Sequence, residues 1–161
     1  MGWLDRLRSR DDADDHDPVS STDGGARDDA VAPVETITSR RPTAEEEARL
    51  EAARARYAEH GIDPADLATV ASAYEAALVE AGEEGTASEC VTVIATAIGD
   101  HLTHHGYRWV VSTDPFGTDL AVEPPRRPVP VVVRTLVAVR WMQRERGWVE
   151  PVVGHLARAG R

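Results

Sequence analysis

The sequence predicts an α+β fold in the order α-α-α-β-β-β-α-α, a small three-stranded antiparallel sheet with helices packed on one face. Three observations carry that prediction. Residues 108–122, RWVVSTDPFGTDLAV, read as a β-hairpin. Thr43-Ala44-Glu45-Glu46 and Thr86-Ala87-Ser88-Glu89 are capping boxes, each opening a run of apolar residues at helical spacing. A short apolar run at 129–133 follows the hairpin, bounded by Pro128 and interrupted by Pro130, and reads as an edge strand because proline cannot donate to a ladder.

At 161 residues the chain fits one domain with an extension. Residues 1–42 are rich in Asp, Gly, Ser and Pro and low in large apolar groups, and the run Asp11-Asp12-Ala13-Asp14-Asp15-His16-Asp17 repels itself. This segment is expected to be a disordered acidic tail, leaving 43–161 as a single α+β domain. Within the tail, Trp3, Leu4 and Leu7 fall on one helical face among Arg6, Arg8 and Arg10. They form either a short amphipathic peptide for a membrane surface or partner groove, or a frayed terminus, since so short a helix is marginal in water.

The first helix is expected from the Thr43 cap to about His60, ended by Gly61. Asp63-Pro64 then reads as N-cap and first position of a second helix, whose stripe Leu67, Val70, Ala71, Tyr74, Ala77, Leu78, Ala81 is the clearest amphipathic pattern in the chain. The third helix, from Thr86 to about His105, is apolar on more than one face and is expected to be the most buried. Gly99 within it costs about 1 kcal/mol relative to Ala, which suggests close packing against the sheet. In the hairpin, Trp109, Val110 and Val111 suit a pleated surface, and Leu120 and Val122 return at period two. Asp114-Pro115-Phe116-Gly117 is a turn: Asp caps, Pro presets φ, and Gly tolerates positive φ. A fourth helix over 134–146 and a last one with Pro151 in its first turn complete the chain.

The formal net charge of −10 sits in the tail and the first two helices, and every basic residue is Arg. That balance argues against nonspecific nucleic-acid binding. One cysteine, Cys90, fits a reducing cytoplasm, and neither a signal peptide nor a membrane-spanning run is expected. Cys90 opens a helix, where the dipole lowers a thiol pKa, but a small core thiol is the simpler assignment.

Candidates for chemistry are few. His101 and His105 are i, i+4 on one helix, a spacing zinc ligands use, with Asp114, Asp119 or His155 as a possible third ligand. The glutamate of a metalloprotease motif is absent, Cys90 lies about 16 Å away along the axis, and histidines near a helix C-terminus are favoured by the dipole alone. Asp100, Asp114 and Asp119 offer carboxylates for acid–base work, against simpler places as turn cap and solvated side chain. No phosphate loop, Ser-His-Asp signature or Cys-x-x-Cys pair is present, so no cofactor and no metal is assigned.

Residues 88–146, with IATAIGDHL, then the hairpin, then VPVVVRTLVAVRWMQR, resemble a family of small bacterial domains of unknown function. There a Gly-Asp or Gly-Glu helix precedes a W-V-V-x-x-D-x-x-G-x-D-L-A hairpin and an Arg-containing helix. The matching positions are Gly99, Asp100, Trp109, Asp114, Gly117 and Asp119, with Arg140 in the helix. The resemblance implies an α+β fold and a cytoplasmic bacterial protein, and it brings no catalytic residue.

The reading that follows is a non-enzymatic protein-binding or accessory module. Its contact residues would be Phe116, the only phenylalanine, placed at a turn tip; Arg126 and Arg127, a basic pair set between prolines; and Trp3, Leu4 and Leu7 in the tail. Phe116 either stands out as an anchor or folds back over the hairpin, and Arg126 and Arg127 either meet an acidic partner or the Asp11–Asp17 run, or stay solvated. The alternatives are a metal-dependent hydrolase using His101 and His105 and a peripheral membrane protein docked by the N-terminal peptide. No oligomeric state follows from the sequence.

Overall fold

Thr43 and Glu46 close the expected reciprocal cap: the Thr43 hydroxyl accepts from the Glu46 N–H, and Glu46 accepts from the Thr43 N–H at 2.7 Å. The cap starts a helix, α1, at Ala44–Arg54. The computed structural model describes residues 36–82, 88–126 and 129–160. The chain divides into two units, Met1–Pro33 and Val34–Arg161, and every described element belongs to the second. The N-terminal peptide with Trp3, Leu4 and Leu7, the Asp11–Asp17 run and Arg127 lie outside the described residues.

Ahead of α1, residues Thr38–Arg40 form a strand, β1. After α1 come a 3-10 turn at Tyr57–His60, then α2 at Leu67–Glu80 and α3 at Ser88–Thr103. The hairpin follows as β2, Arg108–Asp114, and β3, Gly117–Glu123. Helices α4, Val133–Met142, and α5, Val149–Ala159, close the chain. Among the described residues, five α-helices and a three-stranded antiparallel sheet make the predicted α+β class.

The third strand is not the one expected. The sheet order is β1-β2-β3, with Thr38↔Thr113, Ser39↔Ser112 and Arg40↔Val111 in register. The strand therefore comes from the stretch assigned to the acidic tail, and the element order opens with β. Residues 129–133 contribute one bridge, Val122↔Val131. Pro130 has no N–H to extend the ladder, and Val133 already begins α4. Thr36, Ile37 and Thr38 are β-branched, but three such residues beside an Asp-rich segment form no periodic pattern to read.

Three helix limits also shift; α4, expected to reach Arg146, ends at Met142, and Arg144 has already left the helix at φ 52°. α1 ends at Arg54, with Tyr57–His60 tightened to 3-10 before Gly61 at φ 62°. α2 starts at Leu67, capped by Asp66, because Asp63 accepts instead from the Ala65 N–H and holds a turn around Pro64. Most of the Thr86 capping box falls outside the described residues.

α3 is the central helix, as expected. Val91, Val93, Ile94, Ala97, Ile98 and Leu102 are all buried, with α2 on one side and the sheet, α4 and α5 around the rest. Tyr74 stands edge-on to Trp141 and Trp148, centroids 5.8 and 5.5 Å apart, tying α2 to the C-terminal helices. Gly99 faces the Trp109 ring so closely that a Cβ there would sit 2.2 Å from it. Cys90 is half-buried against the same core.

Gly99→Ala should therefore lower the unfolding free energy by about 1–3 kcal/mol, despite a gain of about 1 kcal/mol in helix propensity. Urea denaturation measures it; a variant as stable as wild type would show that the Gly99–Trp109 contact does not constrain the fold.

Candidate functional site

Asp100 gathers the elements around it. Its carboxylate accepts four hydrogen bonds. Arg54 on α1 donates Nε to Oδ2 at 2.8 Å and Nη2 to Oδ1 at 2.6 Å. Tyr57, on the 3-10 turn, donates to Oδ2 at 2.9 Å, and the Trp109 indole donates to Oδ1 at 2.9 Å. Burial of Asp100 raises its pKa, but the bonds from Arg54, Trp109 and Tyr57 outweigh it and the carboxyl lies below its ordinary value. Tyr57 is pushed above its usual range by burial and by the Asp100 charge. With every lone-pair direction occupied, this carboxylate holds structure together and has no capacity left for proton transfer at neutral pH.

The other carboxylates do not join it. Asp114 Oδ1 accepts from the Phe116 and Gly117 N–H groups at 2.8 and 3.0 Å, which is the turn cap the sequence predicts. Asp119 Oδ1 accepts from the Leu120 N–H and is half-buried rather than on an open face. His101 is buried, and its Nδ1–H donates to the Pro64 carbonyl at 2.8 Å. Its ring lies 4.8 Å from that of His105. Among the described residues no three His, Cys, Asp or Glu side chains gather at metal-binding spacing.

Two surface features stand out. The first is the hairpin tip. Phe116 is 97 % exposed, so the outward of its two expected positions is the one adopted. The Asp114 cap fixes the backbone that presents it, and the β1 register puts Ile37, also exposed, toward the same end of the sheet. The sheet is less open than expected: Val110, Ser112 and Ala121, which alternate away from Trp109, are buried. Arg126 is exposed in the loop after β3.

The second feature was not foreseen. A groove of about 720 Å³ runs between α1 and β2. Ala44, Glu47, Ala48 and Glu51 line it from one face of α1, and Arg108, Trp109 and Val110 line it from β2. Arg40, Arg41 and Arg54 add guanidinium groups. Arg40 is held by Glu46 through two 2.7 Å bonds, and Glu46 is drawn down to about 2, chiefly by Arg40. Arg54 is committed to Asp100 and Glu51, whereas Arg41 has no ion pair among the described residues. The only hint in the sequence was Arg40-Arg41-Pro42 just before a helix cap.

No family model, curated protein or solved structure matches this chain. No helix among the described residues is long and apolar enough to cross a membrane.

Asp100→Asn should cost about 2–3 kcal/mol at neutral pH, less than the roughly 3–5 of a fully buried pair because Arg54 is partly solvated. The folded carboxyl lies below its unfolded value, so its stabilisation is present above about pH 4 and lost as pH falls through the folded value. Denaturation midpoints at pH 7 and pH 3 should therefore show the wild-type advantage shrinking in acid; an advantage independent of pH would exclude a charge-based role.

Proposed function

We propose that this chain is a non-enzymatic protein-binding module whose reading head is the β2–β3 hairpin tip. One observation carries the reading: Phe116 is almost wholly exposed on a turn whose backbone is pinned by Asp114. Leaving an aromatic ring in water forgoes the burial free energy it would gain against the core. A rigidly presented ring loses little conformational freedom when a partner covers it. Ile37 widens the apolar end of the sheet, whereas Arg126 follows Glu123 at the opposite end of the hairpin and takes no part in this head. The saturation of the Asp100 carboxylate by internal bonds also favours binding over catalysis.

The resemblance to small bacterial domains belongs to this proposal. Five of its seven positions fall in two contact sets, Gly99 and Asp100 with Trp109, and Asp114 with Gly117, while Asp119 and Arg140 stand outside them. Such a motif has a physical reason to persist: it clamps a hairpin to a helix and shapes its tip. The proposed setting is a reducing cytoplasm, consistent with the single free thiol of Cys90.

Full-length protein carrying a photo-crosslinking phenylalanine analogue at position 116 should capture one partner from a native lysate. The same partner should be lost from affinity capture by Phe116→Ala and retained by Met142→Ala, which alters an exposed apolar residue on α4. Equal retention by both variants would remove Phe116 as the anchor.

A further inference from the structure

β1 covers only half of its neighbour. It pairs with Val111–Thr113 and ends at Arg40, after which Pro42 and the α1 cap turn the chain away. The remaining part of that edge, at Arg108, Trp109 and Val110, opens into the groove.

The direction of the main chain there follows from the far side of the sheet. Val122 both donates to and accepts from Val131, at 2.9 and 2.8 Å. Its N–H and C=O therefore point away from β2, and Trp109↔Val122 is a pair that exchanges no main-chain bonds. It follows that the N–H and C=O of Trp109 point toward the groove. Among the described residues neither has a main-chain partner. Continuing the β1 register would place Pro42 opposite Trp109, and proline has no N–H to offer its carbonyl.

We propose that the groove binds an extended acidic peptide from a partner protein, which adds a short strand to β2 at Trp109. Main-chain bonds to Trp109 set its register, and alternate side chains face the groove walls. Charge selects the sequence. Arg41 lacks an ion pair, and Arg108, although bonded to Glu123, is 75 % exposed at its side chain. Each can take a carboxylate in a bidentate fork. Glu51 is occupied by Arg54, leaving Glu47 as the opposing carboxylate in the lining. Ala44 and Ala48 keep the helical wall low enough for a chain to lie against it. The volume falls within the roughly 300–1,000 Å³ of ligand pockets. This site is separate from the hairpin tip.

The test uses full-length protein and a labelled hexapeptide of alternating Glu and Val, with a Lys-Val twin as control. Fluorescence anisotropy should show the acidic peptide binding at least tenfold more tightly. Amide and indole resonances of Trp109 should move on titration. Ala48→Phe, which fills the groove, and Arg41→Glu should each weaken binding at least tenfold, and Phe116→Ala should leave it unchanged. Equal affinity for the twins, affinity untouched by both groove variants, or no saturable binding at millimolar peptide would overturn the proposal. So would self-association, seen by sedimentation, that Ala48→Phe abolishes, since a second copy would then be the occupant.

Discussion

A carboxylate buried on a central helix must find donors or leave its charge uncompensated, and at Asp100 it finds them on three separate elements. That requirement sets much of the architecture. Arg54 draws the end of α1 against α3, Tyr57 fixes the 3-10 turn that follows, and the Trp109 indole fastens β2 to the same point. Removing any one donor would leave part of a desolvated charge unmatched, so the three elements are coupled through it. Gly99 makes the arrangement sterically possible, because only a residue without a side chain lets the Trp109 ring lie flat enough to reach Asp100.

The same clamp shapes both surface features. With Trp109 anchored from its side chain, its main chain is held at a fixed distance from α1, and the space between them becomes the groove. Beyond the clamp the hairpin extends to a tip stiffened by Asp114 and by the Thr113–Thr118 hydroxyl pair at 2.9 Å. An exposed aromatic and an uncovered strand edge thus lie at opposite ends of one strand. A second aromatic cluster ties α2 to the C-terminal helices: Tyr74, Trp141 and Trp148 pack edge to face, and Arg140 lies 4.7 Å over the Trp148 ring.

The histidine spacing was legible, but its surroundings were not. His101 and His105 do share a helix face, with the His101 Nδ1–H on the Pro64 carbonyl 37 residues away in the chain, yet among the described residues no third His, Cys, Asp or Glu side chain gathers with them. Asp100 was legible as one of three available carboxylates; that it is saturated by α1 and β2 was not. The groove was invisible because its walls come from segments more than fifty residues apart, and the motifs at each report only local structure.

What the sequence determined by itself were the features whose causes lie within a few residues. The Thr43–Glu46 cap, the Asp114-Pro115-Phe116-Gly117 turn, the apolar period of α2, the all-round burial of α3 and the tight approach at Gly99 each follow from local sterics, hydrogen bonding or patterning. The tertiary structure alone decided which segment became the third strand, which donors met Asp100, and where β2 was left uncovered. The β1–β2 pairing and the Arg54–Asp100 ion pair join residues 46 to more than 70 positions apart. Their free energy depends on which surfaces are already in contact, and no spacing in the chain records that.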